Sequence, residues 1–396
     1  MINSIDLIRR LPIVSMNGET PTVTFNSMPF WAGVQKAPGV RQVLPFALTA
    51  MVDSPIRQVT SEQIITDVVN AYQSDEYTFI TPPPGASVWA NSLGESCVGA
   101  VKSAIGNGSP KNILEIGGGS TWIASRLREL YSPASYVIVD PSVRDSAEGV
   151  EVILDYFPNQ QLADRYFDFV LGFNVLEHVP DPLSFLCSIR RQLTANGKVI
   201  LVYPDCERQL LRGDLNVLVH EHLSYLTEAS SRWLASAAGF NVLALSREND
   251  TLTVTLEAGS GHSDSSQKLN ELQLFQSSAE AFQNLLTNTA DEIRQYLNSG
   301  QYVAFHGATP GLNSFLFITG LGDHPNIRLY DGDASKEGLY LPACSTPIMS
   351  PKDRSYAENS LLVISAMSFY EQIKQFAVEK AGFNPSRLLP LTGSCQ

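Results

Sequence analysis

Two groups of residues in this chain have the types and spacing to do chemistry. One is His220-Glu221-His222 in the run HEHLSY, joined by His178 in NVLEHVPDP. An imidazole has an unperturbed pKa of about 6.5, so it suits proton abstraction near neutral pH. The other lies in ILEIGGGSTWIASRL, residues 113–127, where Glu115 precedes Gly117, Gly118 and Gly119. Downstream, YVIVDPS at 136–142 ends an apolar run on Asp140. Glycines let a backbone approach a ligand closely, and an acid at the end of the next strand is placed to accept hydrogen bonds from ribose hydroxyls. The first group offers base chemistry and the second a nucleoside site.

The elements that must position these residues follow from the apolar pattern. Ile113, Leu114 and Ile116 read as a strand, and Trp122, Ile123 and Leu127 as one face of the helix after the glycine turn. Phe169–Phe173 reads as a buried strand, and Asp181-Pro182 opens a helix, since an acid and a proline favour the first turn. GKVILVYPD at 197–205 supplies a further strand, and 241–246 with 251–257 an antiparallel closing pair. The order predicts a doubly wound α/β sheet with the glycine turn and Asp140 at its carboxyl edge. If HEHLSY is extended, His220 and His222 share one face and Glu221 faces the other.

Spacing separates two cofactors. A dinucleotide turn wants G-x-G-x-x-G, and here Trp122 stands in the third glycine's place. S-adenosylmethionine (SAM) sites show acid-x-G-x-G, which Glu115, Gly117 and Gly119 fit, with Thr121 following. A glycine-rich turn in some other α/β domain is the plainer alternative. SAM is the expected cofactor, and NAD is disfavoured.

Composition narrows the partners. The chain has 396 residues, 44% hydrophobic content, a net charge of −13 and a pI near 4.9. Length predicts two or three domains, and the acidity argues against a nucleic-acid backbone. No secretory leader or membrane-length apolar run is read in the sequence. Cys97, Cys187, Cys206, Cys344 and Cys395 are scattered without a CxxC pair, which predicts reduced thiols, a cytoplasmic setting and no metal site. HEH hints at metal, but no third ligand stands at a recognised spacing. The expected partner is a small-molecule acceptor, with neither nucleic acid nor membrane, for a monomer or homodimer. Residues 1–85 predict a small N-terminal domain, 86–260 the SAM-binding domain and 261–396 a second α/β domain. Within the last, YVAFHGATPG at 302–311 is another strand-to-glycine turn, read as a structural crossover rather than a second nucleotide site.

The loop NVLEHVPDP resembles the motif after the fourth strand of class I SAM-dependent methyltransferases. VLVHEHLSYLTEASSRWLASAAGF at 217–240 resembles the HEHxxY–helix segment of the three-domain sugar C-methyltransferases. YDGDASKEGLYLPACSTPIMSP at 330–351 is similar to their C-terminal signature, through Asp331, Lys336, Gly338, Pro342 and Pro347-Ile348, with Ala343 where glycine is usual. SMPFWAG at 27–33 and Gln58-Val59 extend the likeness to the front of the chain. The fold implied is a class I Rossmann-like core between a small N-terminal domain and a C-terminal α/β domain. The activity implied is C-methylation of a keto-deoxysugar or related intermediate. An O- or N-methyltransferase of a non-sugar metabolite and a catalytically silent SAM-binding scaffold are the rival readings.

Departures from that family fall in the acceptor region and the N-terminal module. Met51 and Ser54 replace one cysteine pair of the family's zinc module and the other pair has no counterpart. Phe30, Trp31, Val43, Leu44, Phe46 and Leu48 are then expected to supply packing instead. Pro310 replaces a lysine, and Val219 a tyrosine before HEH. By resemblance His222 is the base, His178 polarises or holds the acceptor and Tyr77 closes the site, while Glu221 is placed either to orient a histidine or to cap the helix that starts near Thr227. Glu115 and Gly117–Gly119 are expected at the methionine part of SAM or its bridging water, Asp140 at the ribose, Asp155 and Tyr156 at the adenine, and Asn174 at the amino group.

Overall fold

The computed structural model describes residues 10–16, 20–73, 88–106, 108–248, 250–259, 268–352 and 355–393. Tyr77 and the proline-rich joint at 81–87 lie outside the described residues.

The strand before the glycine turn, Asn112–Ile116, is central in a seven-stranded sheet. It pairs in parallel with Ser135–Val139 on one side and Phe167–Phe173 on the other. Val150–Ile153 extends the first side and Leu193–Pro204 the second. Thr251–Ala258 and Phe240–Glu248 close the far edge as the antiparallel pair read from the sequence. The inner strands are apolar on both faces because helices cover both. Leu114, Val137, Val170 and Val199 pack on Phe185 and Ile189 of helix Pro182–Arg191 and on Leu234 of helix Glu228–Ala237. Ile113, Ile138, Leu171 and Ile200 pack on Val98 and Val101 of helix Val88–Ile105 and on Ile123 and Leu127 of helix Trp122–Tyr131.

Strand register places the site. Ile116 lies opposite Val139 and Gly172, and Val139 opposite Ile153. The parallel strands therefore end nearly level. Gly117, Asp140 and Asn174 leave the sheet from one edge, each still held by a ladder bond from its N–H, to Val139 O, Ile153 O and Val202 O respectively.

A second sheet runs Ile13–Ser15, Thr22–Pro29, Val43–Thr49, Ile56–Gln58 and then Ser224–Tyr225, which belongs to HEHLSY. Of the six residues expected to pack this module, Phe46 and Leu48 are buried, Phe30, Trp31 and Leu44 are half-buried, and Val43 is exposed. The missing apolar surface comes from farther along the chain. Phe25 meets Phe46 edge-on at 6.3 Å and Phe282 at 6.2 Å, and Phe282 belongs to helix Leu272–Asn284. N-terminal and C-terminal segments thus share one core.

The third sheet has five parallel strands: Ile348–Met349, Ile327–Tyr330, Val303–His306, Leu361–Ile364 and Leu388–Pro390. The long helix expected over 268–298 is Leu272–Asn284, a π-helical turn at Leu285–Thr289, and Ala290–Asn298. The glycine turn of this sheet has Gly307 at φ +111°, where a side chain is strained. Its N–H groups serve the chain itself. Ala308 N donates to Asp331 Oδ2 at 2.8 Å and Gly311 N to Asn216 Oδ1 at 2.9 Å. A Cβ on Gly311 would come within 2.5 Å of Asn216 N. A phosphate at a helix N-terminus uses such N–H groups. Here they dock the third sheet onto the loop around Asn216.

The shared core is testable. Phe282→Ala should cost about 3–5 kcal/mol, the usual cost of truncating a buried phenylalanine. Urea unfolding followed at a tryptophan and by circular dichroism measures it, and a loss below about 1 kcal/mol would contradict the shared core.

Candidate functional site

A cavity of about 680 Å³ opens at the carboxyl edge of the seven-stranded sheet. Its size falls in the range of small-molecule sites, roughly 300–1,000 Å³. Gly117–Gly119, Asp140, Asp155, Tyr156 and Asn174 line one part. Glu177, His178, Glu221 and His222 line another, and Ile65, Val68 and Val69 of helix Glu62–Gln73 lie along its apolar wall.

The nucleoside half is built from the turn outward. Gly117 and Gly119 hold φ of +73° and +65°, the left-handed region that glycine reaches without strain. A Cβ on Gly117 would lie 3.0 Å from Val175, so the turn passes close to the neighbouring loop. Asp140 anchors the turn: its Oδ2 accepts from Gly119 N at 2.9 Å, and its Oδ1 accepts from Ser142 N and Oγ at 2.5 and 2.6 Å. A carboxylate has about four acceptor positions, so three are committed and one remains for a ligand hydroxyl. The two ribose bonds that a free aspartate offers reduce to one. Asn174 has φ +53°, an uncommon conformation for a non-glycine residue and one that recurs at ligand sites. Asp155 accepts from Tyr156 N at 2.8 Å and Asn159 Nδ2 at 2.8 Å, leaving the Tyr156 ring about half exposed at the cavity.

Glu115 is placed differently from its expected contact with the methionine part. It is fully buried below the turn and does not line the cavity. Tyr136 Oη donates to its Oε2 at 2.5 Å, and burial pushes its carboxyl up to about 8. A Cβ on Gly118 would lie 2.8 Å from Glu115 Oε1. The acid supports the turn from beneath.

HEHLSY is a turn here rather than a strand at its histidines, so the alternation expected of an extended segment does not hold. His222 N donates to Val219 O at 3.0 Å, which closes the turn. His220 points away from the cavity and packs on Phe30 and Phe46 at 5.6 and 5.5 Å between ring centres. Glu221 and His222 both line the cavity. His222 Nδ1 lies 3.1 Å from Val217 O, and His178 Nδ1 lies 2.9 Å from Glu221 O. A carbonyl only accepts, so each Nδ1 carries its proton and each Nε2 carries a lone pair. Burial pushes the His222 imidazole down to about 3, with His178 adding to the shift, and the His178 imidazole down to about 4. Both rings are neutral at pH 7. A neutral His178 in this tautomer can accept at Nε2, which suits it to a hydroxyl rather than to polarising a carbonyl by donation.

Sequence reasoning passed over Glu177, although it sits inside the quoted NVLEHVPDP. It is 1% exposed, and neither carboxylate oxygen has a hydrogen-bond partner among the described residues. Burial pushes its carboxyl up to about 8, and Glu221 adds to the shift. Its Oε1 lies 3.7 Å from His178 Nε2. Adjacency to His178 in the chain was the available signal. Val219 is buried and is absent from the cavity wall.

The family model described as methyltransferase domain matches residues 95–245. The chain carries an S-adenosylmethionine-dependent methyltransferase domain. A second model, C-methyltransferase C-terminal domain, matches residues 248–382, a span that takes in four of the third sheet's five strands. The methyltransferase domain holds every residue of the nucleoside half, and the turn, the anchoring Asp140 and the strained Asn174 fit its SAM cofactor. The C-methyltransferase NovU of Streptomyces niveus is 24% identical over 225 residues. That match spans 52% of this chain and 53% of the relative, about half the length of each. Among solved structures, human N-acetylserotonin methyltransferase in complex with SAM is 20% identical. It overlaps 51% of this chain and 61% of its own at a TM-score of 0.40. LepI in complex with SAM is 18% identical, overlapping 40% of this chain and 46% of its own at a TM-score of 0.32.

Asp140→Ala should weaken SAM binding by about 10- to 100-fold. One charge-assisted hydrogen bond is worth about 1.5–3 kcal/mol, and the Gly119 turn also loses its anchor. Calorimetric titration with S-adenosylhomocysteine reads this, and unchanged affinity would remove Asp140 from the site.

Proposed function

We propose that this protein transfers the methyl group of SAM to a carbon next to a carbonyl, on a small acceptor of the keto-deoxysugar or related secondary-metabolite class. The observation that carries the reading is His222. Its Nδ1 proton is pinned to Val217 O, so an Nε2 lone pair is available in the cavity that the glycine turn also lines. The C-methyltransferase C-terminal domain match and the NovU relative support carbon as the methylated atom.

SAM supplies a methyl group already activated by its sulfonium. The chain must orient the acceptor carbon toward that methyl, exclude water and take away a proton. The proton attached to carbon beside the carbonyl passes to His222 Nε2, and its electron pair stays on the acceptor as an enolate. Burial opposes the imidazolium so formed, and the Glu177 and Glu221 carboxyl groups lining the same cavity favour its charge when ionised. His178, an acceptor at Nε2, positions an acceptor hydroxyl. Ile65, Val68 and Val69 supply apolar surface that displaces water.

His222→Ala should leave S-adenosylhomocysteine affinity nearly unchanged, because the nucleoside contacts come from other segments. Turnover should fall by about 10²–10⁴, the usual contribution of a positioned base. In deuterated water with S-adenosylhomocysteine bound, the wild type should exchange the acceptor's α-proton and the variant should not. Methylation without exchange would replace this reading by O- or N-methyl transfer, with His178 the next histidine to test.

A further inference from the structure

We infer that Glu177, His178 and His222 form a binding site for a divalent transition cation of the zinc class, on the wall of the cavity. One ligand atom from each residue can be chosen so that all three lie within 4.8 Å of one another. The rings of His178 and His222 meet edge-on at 5.0 Å between centres. Tetrahedral zinc with bonds of about 2.0–2.2 Å needs donors roughly 3.3 Å apart, so modest side-chain rotation closes the set.

Three features of these residues argue for a cation. Both histidines donate Nδ1–H to a backbone carbonyl, His178 to Glu221 O and His222 to Val217 O. That is the arrangement by which ligating histidines are fixed in tautomer and aimed at a metal with Nε2. Glu177 is almost wholly buried, with two oxygens that no donor among the described residues satisfies. A buried carboxyl without a donor is costly, and a cation is one of the few partners that relieves it. Finally, Glu177 Oε1 lies 3.7 Å from His178 Nε2, a separation close to that of two ligands on one cation.

Two imidazole nitrogens and one carboxylate suit zinc, cobalt or nickel better than magnesium or calcium, which prefer oxygen. Three protein ligands leave further coordination positions toward the cavity. The site stands on its own geometry and does not depend on the proposed reaction. It has a consequence for that reaction, because a cation on His222 Nε2 takes the lone pair that would accept the proton.

Cobalt(II) serves as the probe for the full-length chain, prepared free of metal with a chelator. Calorimetry should give one high-affinity site per chain, and the visible d–d absorption should show nitrogen and oxygen coordination without thiolate charge transfer. Glu177→Gln and His222→Asn should each weaken cobalt binding at least tenfold while S-adenosylhomocysteine still binds, which establishes that each variant is folded. No cobalt binding to the wild type at micromolar concentration would overturn the site, and so would binding that survives in both folded variants. With zinc at saturation the wild type should lose α-proton exchange, and exchange unchanged at saturation would also overturn it. If the metal-free protein shows no exchange at all, the carbon-acid reading fails, while the cobalt result still decides the metal site.

Discussion

A backbone clasp between two loops holds this site together. Leu223 N donates to Glu177 O at 2.8 Å, and His178 Nδ1 meets Glu221 O at 2.9 Å, so residues 177–178 and 221–223 are laced to each other. The same second loop continues into Ser224–Tyr225, which pairs with Ile56–Gln58 as the last strand of the N-terminal sheet. Gln58 tightens the seam. Its N–H donates to Leu223 O at 3.1 Å, and its side-chain nitrogen, turned toward the carbonyls, meets His220 O and His222 O at 3.1 and 2.9 Å. Buried peptide groups must find partners, and here they find them across two sheets. The histidines owe their tautomers and their aim to this seam.

The N-terminal module, whose sequence holds no cysteine, is braced by other parts of the chain. A small sheet buries too little surface to stand alone and normally recruits metal, disulfides or a partner. Here the partner is intramolecular. Phe282 meets the Phe25–Phe46 pair from the C-terminal side, and the Ser224–Tyr225 strand caps the sheet from the methyltransferase side. The loop around Asn216 links the other way, accepting from Gly311 N while its side-chain nitrogen donates to Ser365 O at 2.9 Å. The three sheets are therefore coupled through the segment from about 214 to 226, which also carries His222.

Two chemistries converge on that segment. The buried imidazoles are neutral, so each has a lone pair for a proton or a cation, while burial opposes the charge that protonation would leave on the ring. Glu177 adds a carboxyl whose ionisation burial opposes. Its charge state and that of the two rings must therefore respond to whatever enters the cavity, whether acceptor, proton or metal.

Much was legible in order of residues. Apolar runs ending in Gly117, Asp140 and Asn174 identify parallel strands and the edge where a nucleoside binds, because strand period and glycine geometry are local properties. Asp181-Pro182 marks a helix start for the same reason, and Asp181 Oδ1 does cap Ser184 N at 3.0 Å. What the residues could not disclose was decided at a distance. Glu115 looked like a ligand contact, but only packing shows it lying under the turn against Tyr136. HEH read as alternating faces, but the bond from His222 N to Val219 O bends it, sending His220 into an aromatic core and leaving Glu221 beside His222. Glu177 joined the histidines only when two loops far apart in sequence were laced together. Local backbone preference sets which elements form and where they end. The direction of a polar side chain depends on carbonyls and rings brought in by other segments, and those exist only once the chain has folded.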